Sequence, residues 1–152
     1  MVGLRRRHLV AALNPNSAVT ISATATLTAE VHANRPLYLS GTTAQTYTLP
    51  LATGSGNTYT FHVLETNESN LFAINAAGSD EFNGMIMATD ADAETEGPGW
   101  PALAADNFSV VTIGDTTRGL LGSWVQFRDV ASGVYFVSGQ TAASGSEATP
   151  FT

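Results

Sequence analysis

Lysine and cysteine are both missing from this 152-residue chain. Without cysteine there are no disulfides, no thiolate metal sites and no cysteine nucleophile. Without lysine there is no GxxxxGK[ST] phosphate loop. Charge is scarce as a whole: Asp, Glu, Lys and Arg make up 12% of the residues, against about 25% in an ordinary soluble domain. No apolar run reaches the roughly 18 residues that a membrane-spanning helix needs. The opening MVGLRRRHLVAAL is cut by Asn14, Pro15 and Asn16 before a signal-peptide core is complete.

The few charges are unevenly placed. Arg5, Arg6 and Arg7 form one basic cluster, and Arg35, Arg118 and Arg128 are the only other cations. Residues 8–152 therefore set three cations against thirteen carboxylates, a net of about −10. A nucleic-acid surface needs cations to replace phosphate counterions, so the body is a poor candidate for one. The Arg cluster by itself suits nucleic-acid contact and, equally, an arm that docks on an acidic partner.

Ala, Thr, Ser, Gly and Asn fill the space left by charge. Thr tolerates strands, and Gly, Asn and Ser supply turns. Residues 1–19 read as an extended N-terminal arm, with LVAAL (9–13) as material for one helical turn that Asn14-Pro15 stops. Residues 20–152 read as a single β-rich domain. VTISATATLTAE (19–30) alternates with period 2, placing Val19, Ile21, Ala23, Ala25 and Leu27 on one face. Residues 28–34 suit a short helical turn or loop, and LYLS (37–40) a strand. QTYTLPLA (45–52) puts Tyr47, Leu49 and Leu51 on one face, and TYTFHVLE (58–65) does the same with Tyr59, Phe61 and Val63. TGSGN (53–57) between them is turn chemistry. LFAINAA (71–77) and NFSVVTIG (107–114) read as strands, and EFNGMIMAT (81–89) as a Gly-containing strand or hairpin. Residues 90–106 read as a long exposed loop. WVQFRDV-ASG-VYFVSG (124–139) is the clearest hairpin, and 140–152 reads as a small-residue tail. The expectation is an all-β sandwich or barrel of about eight to ten short strands. No repeat of 20–50 residues is visible, which argues against a solenoid.

Catalytic spacing is missing. His8, His32 and His62 form no HxH, HxxxH or HExxH pair, so no metal site is expected. Ser55 lies between Gly54 and Gly56, but no GxSxG elbow or following helix is present. Asp90, Asp92, Glu94 and Glu96 alternate in a loop without the EF-hand glycine and glutamate, which favours a solvated loop over calcium binding. Trp124 and Phe127 read as core or oligomer contacts. Trp100, between Gly99 and Pro101, reads as an exposed loop contact, and with Trp124, Tyr135 and Phe136 it is material for a sugar-stacking surface. No enzymatic activity and no cofactor are expected.

Three segments together resemble a known family: LTAEVHANRPLYLS (27–40), YTLPLATGSGNTYTFHV (47–63) and GSWVQFRDVASGVYFVSGQTAASGSEATPF (122–151). The strand ending in TLP, the ATGSG turn, the late W-x-x-x-x-D-x-x-S-G hairpin and the closing ATPF resemble the head-decoration, or capsid-cement, proteins of tailed bacteriophages. The resemblance implies a β-rich homotrimer on the outer capsid surface of a virion, with the major capsid protein as partner. It carries no catalytic residues. The arm lies outside the match, and Arg5, Arg6, Arg7 and Leu9 are its candidate capsid contacts on charge and hydropathy alone. The alternative from another class is a tail-fibre or spike module that binds a receptor or carbohydrate through Trp100.

Overall fold

The computed structural model describes residues 17–64, 71–92 and 97–152. The chain is all-β, as its alternation predicts. Among the described residues eleven strands form two sheets, and the helix there is the short turn α1 (Ala29–His32). The strands are β1 (Val19–Ile21), β2 (Ala25–Thr26), β3 (Arg35–Leu39), β4 (Gln45–Thr48), β5 (Thr58–Val63) and β6 (Phe72–Asn75). They continue with β7 (Glu81–Asp90), β8 (Gly99–Ala102), β9 (Val110–Ile113), β10 (Trp124–Ala131) and β11 (Val134–Ala143). The larger sheet has the order β1-β3-β5-β10-β11-β7-β8, and the smaller β2-β4-β6-β9.

The first six strands alternate between the sheets. Neighbours β1, β3 and β5 are therefore parallel, as are β2, β4 and β6. This half of the chain winds as a two-sheet coil. Its turns differ in length, so the missing sequence repeat did not exclude that path. The second half closes the sheets with antiparallel pairs, β5 with β10, β10 with β11, β7 with β8, and β6 with β9, and with one parallel pair, β7 with β11.

Aromatic rings from both sheets meet between them. Phe127 lies edge-on to Phe61 at 5.7 Å and 4.8 Å from Phe82, and Tyr47 reaches Phe61 and Phe72 at 6.1 and 6.3 Å. All five are fully buried, and such contacts add to plain area burial.

Several expectations need correction. Residues 19–30 are not one strand: Ser22, Ala23 and Thr24 are exposed and carry the chain from one sheet to the other. Val19 already pairs with Leu37, and Ser17 accepts hydrogen bonds from Arg35, so the body begins before residue 20. Leu51 is not on the buried face of β4; the strand ends at Thr48 and Leu51 is 62% exposed. The expected loop 90–106 contains β8, which pairs with β7 despite Pro101 because β8 is an edge strand. The expected tail is also structured. β11 runs to Ala143, and Phe151 is buried, bridging Val111 and stacked on Phe108 at 5.5 Å. The remainder of the expected arm, including Arg5, Arg6, Arg7 and Leu9, lies outside the described residues.

Candidate functional site

The best-organised polar cluster joins the 53–57 turn to β10. Alternation along β10 turns Val125, Phe127 and Asp129 inward and Trp124, Gln126 and Arg128 outward. Asp129 is thus a buried carboxylate at the end of the core. Gly54 (φ +79°) and Gly56 (φ +78°) let the turn fold back over it in the left-handed region. The carboxylate accepts backbone N–H bonds from Thr53 (2.9 Å), Gly54 (2.6 Å) and Ser55 (3.1 Å). It also accepts the hydroxyls of Ser55 (2.6 Å) and Thr53 (3.2 Å). The main chain joins in: Gly56 N donates to Asp129 O, and Asp129 N to Asn57 O, each at 2.9 Å.

Burial is the largest single influence on Asp129 and opposes ionisation. The bonds from Ser55, Gly54 and Thr53 together outweigh it, so the carboxyl ionises below its ordinary value. Convergent backbone N–H groups on a glycine-rich turn are an anion nest. Here the nest holds the chain's own carboxylate. Ser55 donates to that carboxylate, and no histidine stands between them to act as a base.

The segment just before the turn is pinned in the same way. Ala52 N donates to Asp80 at 2.6 Å, and the Tyr135 hydroxyl to Pro50 O at 2.9 Å. Burial raises the Tyr135 phenol well above its ordinary value, so it remains a donor.

The other sequence candidates are dispersed. Phe127 is fully buried and cannot be an oligomer contact, because it faces away from Trp124 on the same strand. Trp124 is half-buried on the outward face of the larger sheet. Trp100 is half-buried on β8, packed against the core rather than displayed on a loop. His62 stands edge-on to Tyr38 at 5.8 Å, and burial lowers its pKa. His32 Nδ1 accepts the Thr28 N–H at 3.0 Å, four residues earlier.

Asp90 and Asp92 are close together, while Glu94 and Glu96 lie outside the described residues. The hydrogen bond between the two carboxyls raises Asp90 and lowers Asp92, so Asp90 keeps a proton longer. Asp92 also accepts the Gly145 N–H at 2.7 Å, which ties this turn to the end of β11. Among the described residues, no group of three or more His, Asp or Glu side chains is placed to hold a metal.

The feature that sequence reasoning caught only in part, through Trp124 and Phe136, is a surface. Outward residues of the larger sheet align in rows through the strand registers. One row is Tyr38, His62, Trp124, Gln140 and Met87. The next is Thr60, Gln126, Ser138, Met85 and Pro101. Phe136 stands between Arg128 and Asn83 in a third. Phe136, Met85 and Met87 are 57%, 52% and 43% exposed. Beside them is a hollow of about 430 Å³, walled by Phe136, Arg128, Gln126, Asn83 and Ser138. The alternation of EFNGMIMAT and VYFVSG marks one face as buried. The large residues at the other phase were the available signal for a second contact. Comparison with protein-family models, with curated proteins and with solved structures finds no match.

Proposed function

We propose that this chain is a structural virion protein that binds the outside of a phage capsid as a homotrimer and stabilises it by bridging major capsid subunits. The observation that carries the reading is the use of its polar groups. The most elaborate constellation, Asp129 with Thr53, Gly54 and Ser55, closes the fold and leaves no group free to react. That constellation also joins two of the segments that resemble capsid-cement proteins, the ATGSG turn and the W-x-x-x-x-D hairpin. A protein that binds only the assembled shell stabilises it by mass action. Arg5, Arg6, Arg7 and Leu9 are the proposed contacts of the N-terminal segment with neighbouring capsid subunits.

Purified protein mixed with undecorated heads and sedimented tests the proposal. Saturable co-sedimentation that raises the temperature of head disruption is expected, and absence of binding overturns it. Because Ser17 and Val19 belong to the body, the truncation that tests the N-terminal segment stops at residue 16. Its removal should weaken head binding by about tenfold or more, roughly 1.4 kcal/mol, with an unchanged unfolding midpoint. Unchanged affinity overturns the role given to that segment. Of the rings named for the carbohydrate-binding alternative, Trp100 packs half-buried against the core and Phe136 stands exposed on the larger sheet; saturable binding on a glycan array would favour that alternative.

A further inference from the structure

The molecule has two outward sheet faces, and they differ in kind. On the smaller sheet, the outward residues of β4, β6 and β9 are Thr46, Thr48, Ala73, Asn75, Val110 and Thr112, all small and all half-buried. On the larger sheet they include Tyr38, Trp124, Phe136, Met85 and Met87. Single exposed apolar residues are ordinary, but Met85, Met87 and Phe136 are neighbours on adjacent strands, and such a group marks a contact.

Three observations say what covers it. The first is size. Seven strands at about 4.8 Å spacing and rows running some 25 Å along them make a face on the order of 700 Å². Each partner in a stable protein interface buries about 800 Å². The second is charge. The chain carries a formal −7, so two copies repel unless they meet where carboxylates are missing. The central rows of this face hold none. Glu81 sits at its corner beside Val134, and Arg128 has no ion-pair partner among the described residues. The third is shape. The projecting side chains of Phe136 and Met85 stand next to the 430 Å³ hollow, so one face carries both a knob and a recess. The knob of one copy fits the recess of the next, the heterologous contact that closes into a ring.

We infer that the outward face of the seven-stranded sheet is the surface through which copies of this chain associate. The inference rests on the proposed homotrimer for the number of copies and is independent of the capsid. Phe136, Met85, Met87 and Trp124 form the buried centre, and Arg128 lies beside the hollow.

Analytical ultracentrifugation of the full chain without heads is the test, with Phe136→Glu/Met85→Glu against Thr112→Glu on the other sheet as control. Wild type and control are expected to sediment as one discrete oligomer and the double variant as a monomer with an unchanged circular dichroism spectrum. A monomeric wild type, or a double variant that still associates, overturns the inference. Should the double variant fail to fold, oxidative footprinting of wild type decides. Met85 and Met87 should lose most of their reactivity between dilute and concentrated protein, and equal reactivity overturns the inference. A monomer that binds heads through this face makes the capsid its occupant, overturning self-contact but not the capsid reading. An oligomer that ignores heads does the reverse.

Discussion

At the scale of single residues, Asp129 decides most. Its carboxylate satisfies three backbone N–H groups of a turn more than seventy residues away in sequence. Thr53, Gly54 and Ser55 are exposed, so water takes up donors that lose this acceptor, and the loss is the net worth of the hydrogen bonds, about 0.5–1.5 kcal/mol each. Asp129→Ala is therefore expected to lower stability by about 3 kcal/mol, read as a fall in the urea midpoint. Asp129→Asn removes the charge and turns an amide NH2 toward a ring of donors, so it too should destabilise. The sign with pH follows from the lowered pKa. The stabilisation is complete above the unfolded carboxyl's value of about 3.9 and is lost as pH falls through the lower folded value. The gap between wild type and Asp129→Asn should hold from pH 7 to about pH 5 and close below about pH 4. A gap that does not narrow at all as pH falls below about 4 means that ionisation is not what holds the turn. The sequence shows Gly-Ser-Gly as turn chemistry and the aspartate as one residue of a hairpin. Their union is long-range, and period-2 alternation carries no information on it.

At the scale of elements, legibility follows the range of the contacts. The β10–β11 hairpin is read from its own residues, because WVQFRDV and VYFVSG pair across a short turn. β5 is read with its three buried positions, Tyr59, Phe61 and Val63. What fails is anything whose strand status depends on a distant partner. GWPA becomes β8 because β7 offers it an edge, though Gly and Pro argue locally for a loop. The stretch 19–30 alternates throughout but splits, because alternation fixes which face is buried and not which sheet the strand joins. The outward face of the larger sheet was half legible: the large residues at its positions are plain in the sequence, while their alignment into rows depends on register. The C-terminal segment is the sharpest case. Pro150 O accepts the Thr112 N–H at 2.8 Å, and the main chain of Thr152 pairs with Val110 in both directions. This segment covers the free edge of β9, which would otherwise offer unpaired groups to another chain. Phe151→Ala should cost about 3–4 kcal/mol, as for other buried aromatic truncations, measured by urea unfolding. A loss under about 1 kcal/mol, the range of exposed substitutions, is incompatible with an anchoring role.

At the scale of the whole molecule, charge and fold pull against each other. The two-sheet body is held by apolar packing and hydrogen-bonded turns, and its described ion pair is the single local contact of Arg118 with Asp115 at 3.1 Å. The carboxylates outnumber the cations more than fourfold beyond residue 8. Among the described residues Asp115 is the carboxylate with a cation beside it, so compaction works against self-repulsion. Salt screens that repulsion, with a Debye length of about 30 Å at 0.01 M and about 3 Å at 1 M. The urea midpoint at pH 7 is therefore expected to rise between low and high sodium chloride. If ion pairs were the main support, it would fall. Near pH 4.6, the isoelectric point read from the sequence, net charge vanishes and the salt effect should shrink toward zero. The same balance governs association. Copies that carry like charge and meet on a face whose central rows lack carboxylates are pushed apart by their flanks and held by Phe136, Met85 and Met87. Screening removes the push and leaves the hold, so the oligomer should tighten with added salt. Loosening with salt would assign the contact to charged pairs through Arg128 instead of to the apolar rows.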